Sequence, residues 1–143
     1  MYGGLDIAVS GMVAQRTRLN AIASNIANKD AILDANGEPN PFQRRITVFE
    51  AGNPGAMSRD GQAMGVHVAE IALDDSEFRK VWDPDNPYAR QEGEVDAGYV
   101  YYPNVDTVTE QVNAMEAVRA YEANVRAAEA TKTILAQALR LIA

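Results

Sequence analysis

The last 39 residues of the chain, 105–143, contain neither proline nor glycine and carry apolar side chains every three or four positions. That spacing predicts one long amphipathic helix, because it winds the apolar residues into a single stripe along one face. The stripe comprises Val108, Val112, Met115, Val118, Tyr121, Val125, Ala128, Leu135, Ala138, Leu139 and Ile142. A helix of this length reaches roughly 57 Å at 1.5 Å per residue. A core built from 143 residues cannot cover that reach. Most of the stripe must therefore lie against a second long helix or against other protein chains.

A second helix is predicted near the N-terminus, where Leu5, Ala8, Val9, Met12, Val13, Leu19, Ile22, Ala23 and Ile26 repeat the same spacing over residues 5–27. Within it Leu5, Met12, Leu19 and Ile26 stand seven apart, a heptad seam that keeps facing a partner helix. Gly11 is the weak point, costing up to about 1 kcal/mol relative to Ala unless a close neighbour requires bare backbone. Asn25 and Asn28, followed by Lys29 and Asp30, suit a C-terminal cap in left-handed geometry.

Between the helices, Gly, Pro and Asn-Gly or Asp-Gly turn signals recur at short intervals. The runs between them favour strands at residues 46–49, 66–73, 80–82 and 98–102, which predicts one small β unit of three to five strands. The turn-rich segments 51–65 and 83–94 read as loops. The expected fold class is therefore α+β. Long N- and C-terminal helices pair as a coiled-coil-like hairpin, with residues 1–28 and 105–143 forming one helical domain and residues 29–104 inserted as a β-rich domain.

Charge and residue supply exclude most chemistry. The net charge is -7, yet residues 70–116 alone hold twelve acids against three bases, so the middle is acidic and the ends are not. No basic face exists for nucleic acid. The chain has no cysteine, which rules out disulfides, thiolate zinc sites and a thiol nucleophile. His67 is the sole histidine, and no serine stands in a nucleophile-elbow setting. Asp83-Pro84-Asp85 lacks the glycine and closing glutamate of a calcium loop. Glu92 with Glu94, and Asp74 with Asp75, read as solvated acids rather than catalytic pairs, and no phosphate-binding glycine loop is present. These features predict no enzyme, no cofactor, no metal and no small-molecule substrate. The N-terminus has no basic region ahead of its apolar run, so no secretory signal peptide is expected, and no apolar run is long enough for direct membrane insertion. On the last helix Glu122 with Arg126, Arg119 with Glu122, and Glu129 with Lys132 are spaced to pair across an outer face, for solubility or for register against neighbours.

Motifs at the two ends add a resemblance. The run from Ser10 through Gln15 and Arg16, followed by Asn20-Ala21-Ile22-Ala23-Ser24-Asn25-Ile26-Ala27-Asn28, resembles the N-terminal motif of bacterial flagellar axial proteins, the rod, hook and hook-associated subunits. Tyr102-Pro103-Asn104-Val105-Asp106, leading into Tyr121-Glu122-Ala123-Asn124, resembles the short proximal-rod members of that family. Residues 41–45, 48–51 and 81–85 are similar to the same members. One departure is Lys29-Asp30-Ala31, where the family has a small residue and Asn-Thr. The resemblance implies a basal-body rod subunit that packs with copies of itself and other rod subunits in a hollow helical tube, after passage through the flagellar type III export apparatus. In that reading the terminal helices form the inner layer and the β domain the outer one. The assembly contacts would be Leu5, Val9, Met12, Leu19, Ile22, Ile26, Val108, Val112, Met115, Val118, Tyr121, Val125, Leu135, Leu139 and Ile142. Two other classes stay open on the residues alone: a soluble coiled-coil adaptor or secretion chaperone, and an enzyme with a helical dimerisation arm.

Overall fold

The computed structural model describes residues 3–142, with side chains as far as Leu141. Its elements are α1 (Gly3–Ala27), β1 (Arg45–Ala51), α2 (Arg59–Met64), β2 (Val66–Leu73), β3 (Arg79–Trp82), β4 (Tyr99–Tyr102) and α3 (Thr107–Ile142). The α+β class holds: two long helices pack together and the strands lie between them in sequence. The last helix begins two residues later than its spacing suggests. Asp106 takes the backbone N–H groups of Val108 and Thr109 on its carboxylate, as an N-cap does, and so fixes the first turn after it.

α1 and α3 run antiparallel. A methyl group on Gly4 would touch Thr131, Gly11 faces Asn124, and Asn25 meets Glu110. The faces that meet are small and polar: α1 buries Gly11, Ala14, Ala21, Ile22 and Asn25, while the fully buried residues of α3 are Glu110 and Ala117. By contrast the heptad seam of Leu5, Met12, Leu19 and Ile26 is half-buried. Gly11 is explained by this geometry. A Cβ built there would lie 2.7 Å from Asn124 Oδ1, so the bare backbone lets the two helices approach.

Four local expectations are corrected. Neither Asn25 nor Asn28 adopts left-handed geometry, since Asp96 is the only non-glycine residue with positive φ among those described. The end of α1 is closed instead by Asn28, whose N–H and side-chain amide both donate to the Ser24 carbonyl. The expected single β unit is two separate two-stranded antiparallel sheets, β1 with β2 and β3 with β4. The first has a register shift between Val48 and Phe49.

Segment 51–65 is not all loop, because α2 forms inside it. Ser58 caps α2 through its hydroxyl, which accepts from Gly61 N, and its own N–H donates to Asp6 on α1 at 3.0 Å. The last correction concerns α3, where none of the three expected charge pairs closes to an ion pair. The ion pairs of that helix among the described residues are Glu116 with Arg18 of α1 at 3.4 Å and Glu110 with Arg44 at 2.7 Å.

In the second sheet, Trp82 meets Tyr99 edge-on at 5.0 Å and Arg79 lies over the Tyr102 ring at the same distance. Asp96 accepts from Tyr101 Oη and lies 2.9 Å from Lys80 Nζ, which ties the return of the 83–98 connection to its own hairpin.

Candidate assembly interface

Because small residues mediate the intrachain helix contact, most of the apolar stripe of α3 faces outward. Val108, Val112 and Met115 fall on roughly the opposite side of the helix from Glu110, Ala117 and Asn124 at about 3.6 residues per turn. Val108 is 68% exposed and Met115 55%, while Val118 and Tyr121 are also exposed and Val125 is half-buried. On α1, Val9 and Val13 are exposed, but Ile22 lies within the chain's own core. Toward the end of α3, Leu135 is half-buried and Leu139 is exposed; the side chain of Ile142 lies outside the described residues. The exposed apolar side chains from Val108 to Tyr121 make this part of α3 a candidate interaction surface.

The orientation of that surface against the strands is set by a polar knot at the start of β1. Asn25 is fully buried, and its amide brackets one residue: Oδ1 accepts from Arg45 N at 2.8 Å, and Nδ2 donates to Arg45 O at 2.9 Å. The same Nδ2 donates to Glu110 Oε2 at 2.9 Å. Glu110 is 1% exposed and receives Arg44, whose Nη2 lies 2.7 Å from its Oε1. Arg44 also reaches Asp74 at 3.1 Å. From the other end of the chain, Asn104 accepts from Arg44 N at 2.8 Å and donates to the carbonyls of Asp74 and Ser76. Thus two motif asparagines 79 residues apart grip consecutive residues, Arg44 just before β1 and Arg45 at its start.

Electrostatics agree with this geometry. The Ser76 N–H on the Asp74 carboxylate holds its pKa below the ordinary value, and the Ser76 hydroxyl and Arg44 add to the effect. Burial works against the charge on Arg44, but its bonds to Glu110 and Asp74 outweigh that cost and keep it protonated. Each buried charge therefore has a partner, as stability requires.

The remaining motif residues are spread over both helices. Gln15 is half-buried with an unpartnered Oε1, Arg16 and Asn20 point to solvent, and Ser24 serves as the carbonyl acceptor for Asn28. Tyr102 lies under Arg79, Pro103 is buried, and Asn124 faces Gly11. Tyr121 and Glu122 are exposed and form no part of the knot. Arg44 and Glu110 were missed as site residues by sequence reasoning, and Asp74, read there as a solvated acid, is instead half-buried and held by Arg44 and the Ser76 N–H. The available signal was a carboxylate in the first turn of an apolar helix, Glu110, but nothing in its spacing names a partner. His67 is also structural, with Nδ1 2.7 Å from the Gly52 carbonyl. Among the described residues no cluster of metal-ligating groups occurs, and no helix is long and apolar enough to cross a membrane.

Asn25, Asn104, Glu110 and the outward stripe of α3 fall within the matches to two family models, while Arg44, Arg45 and Asp74 lie between them. Residues 5–30 match the flagella basal body rod protein family, and residues 96–141 match the C-terminal region of the flagellar basal body rod FlgEFG proteins. The flagellar basal-body rod protein FlgC of Bacillus subtilis is 37% identical over 98% of this chain and 97% of its own length. The chain belongs to the FlgC family. Further FlgC proteins from Aquifex aeolicus and Yersinia enterocolitica are 40% and 39% identical over 94% and 95% of the chain, covering 91% and 93% of their own lengths. As a member of the FlgC family, the chain is a structural subunit of the flagellar basal-body rod rather than an enzyme, and it assembles with other basal-body rod components.

Proposed function

We propose that this rod subunit transmits torque by packing alone, and that the outward stripe of α3 is the surface on which copies of the chain and its rod neighbours meet. The observation that supports this is the exposure of Val108, Val112 and Met115 on the side of α3 turned away from α1. Burying such a stripe contributes about 25 cal/mol per Å² of apolar surface removed from water. A heterologous contact repeated by a non-closing operator builds a helical tube with no added energy source. In this reading residues 1–28 and 105–143 form the inner helical domain of the tube and residues 29–104 the outer one. The subunit reaches the periplasm through the flagellar type III export apparatus, without a cleaved signal, and the finished rod carries torque to the hook. Loss of the rod from electron micrographs of basal bodies purified without this chain is the expected result. An intact rod in its absence would overturn the proposal.

A further inference from the structure

The end of α3 is apolar and basic, and a groove beside α1 is largely apolar with an acid in its lining. Thr131 is the residue of α3 that stands beside Gly4, close to where α1 begins. Beyond it the helix continues to Ile142, an overhang of roughly 16 Å at 1.5 Å per residue. This overhang exposes Ile134, Leu139 and Leu141, the last 89% exposed. From residue 130 onward the sequence carries Lys132 and Arg140 and no acid.

A groove of about 500 Å³ runs between α1 and β2. Its walls include Val9, Val13 and Thr17 from the helix and Val68 and Ile71 from the strand. The groove follows α1 for about 12 Å, from Val9 to Thr17, a length close to that of the overhang. Its floor is held in place because Ser10 Oγ accepts from Val66 N at 3.0 Å. Glu70 lines the groove, is exposed, and closes no ion pair among the described residues.

We infer that the groove between α1 and β2 of one copy receives the overhanging end of α3 from a second copy, with Glu70 meeting Lys132 or Arg140. The inference rests on the self-association proposed above and names the two surfaces that make it. Both lie on one chain but are different patches, so the contact is heterologous and propagates instead of stopping at a dimer. Apolar side chains of the overhang enter the valine-lined groove, and the acid at its rim selects the basic end of the helix.

The absence of cysteine from the chain makes disulfide trapping clean. Val13→Cys and Ile134→Cys are introduced together into the full chain, and basal bodies are purified and oxidised. Within one chain the two positions are too far apart to join, because Gly11 lies opposite Asn124, ten residues short of 134. A ladder of dimers and higher oligomers is expected, absent from either single variant and from Val13→Cys combined with Glu92→Cys. Chain present in the basal bodies without the ladder, or with dimers alone, overturns the inference while leaving the subunit in the rod. If the double variant is missing from the basal bodies, the ladder cannot be read. In that case Glu70→Lys, alone and combined with Lys132→Glu and Arg140→Glu, decides: loss of incorporation by the first and recovery by the combination supports the contact, and any other pattern overturns it.

Discussion

Asn25 near the end of α1 donates a hydrogen bond of 2.9 Å to Glu110 in the first turn of α3, and neither residue is open to solvent. The carboxylate so held is what receives Arg44 from the start of β1. Replacing Arg44 therefore strands a buried charge. Arg44→Met is expected to destabilise the chain by about 3 to 5 kcal/mol, the usual cost of removing one partner of a buried pair. Arg44→Lys should fall between the two, since it keeps the charge but not the two-pronged contact. Urea unfolding measures both; equal midpoints for Arg44→Met and the native chain would refute the role given to the knot.

Asn25 tests the same knot from the helix side. Asn25→Ala leaves Arg45 N, Arg45 O and one oxygen of Glu110 without their partner. Unsatisfied buried groups cost about 1 to 3 kcal/mol each, less where water can enter the space. A drop of several kcal/mol is expected for Asn25→Ala, and under 1 kcal/mol for Asn20→Ala, which is exposed. Amide exchange at Arg45 should quicken in the first variant and not in the second.

Gly11 offers a test with a change of sign. Gly11→Ala places a methyl against the Asn124 amide, which is itself bonded to the Ala120 carbonyl at 2.8 Å. Overpacking of this kind typically costs about 1 to 3 kcal/mol. In an Asn124→Ala background the obstruction is gone, and the better helix propensity of alanine should then stabilise by up to about 1 kcal/mol. A double-mutant cycle by thermal or urea unfolding reads the reversal directly. The same sign in both backgrounds would mean that the helices do not approach as described.

Acid should weaken the fold through carboxylates whose pKa is lowered on folding. Asp74 is one, through the Ser76 N–H and Arg44. Asp106 is another, through the Thr109 hydroxyl first and then the backbone N–H groups it caps. For each, the unfolded chain binds the proton more readily, so stability rises with pH in this range. Their contribution is present above the ordinary carboxylate pKa of about 4 and is lost as pH falls below it. Asp74→Asn should flatten the fall in urea midpoint between about pH 5 and pH 2.5. An unchanged slope would show that Asp74 is not held as its contacts indicate.

Val112→Asp separates folding from assembly. Val112 is 45% exposed on the outward side of α3, so the variant should unfold within about 0.5 kcal/mol of the native chain. Incorporation into the rod and motility should nevertheless be abolished, because the charge would be buried unpaired at the proposed interface. Leu19→Asp, at a half-buried position, should lose both stability and incorporation. Normal swimming with Val112→Asp would remove that residue from the interface.

The long elements were legible because each carries many repeats of one period, and both helices and all four strands lie where their spacing places them. Topology was not legible: strand runs show that partners exist, but pairing into two sheets depends on contacts such as Asn104 to Asp74 that lie 30 residues apart. The inward faces were misread for a related reason. Apolar stripes draw attention to Val108 and Val112, whereas this hairpin closes through Gly11, Ala14, Ala117 and Asn124, small or polar residues with no periodic hydrophobic signature. Family likeness located Asn25 and Asn104 as important positions, but only geometry shows that they hold adjacent residues where the chain enters β1. The α2 turn escaped notice because glycine and proline signals around it outweigh a helix of six residues.

The two sheets share no hydrogen-bonded edge: the first is bonded directly to α1 through Asn25 with Arg45 and Ser10 with Val66, whereas the strand that closes the second joins it through Asn104, which meets Arg44, Asp74 and Ser76. The hairpin of β3 and β4, with its acidic 83–98 connection, is thereby a decoration hung on the frame rather than a member of it. Residues can be added to or taken from that connection without altering the spacing of the helices beneath. If the inserted region faces outward as proposed, this hairpin can set the girth and surface charge of the tube without touching the helical pair that sets its pitch and bore.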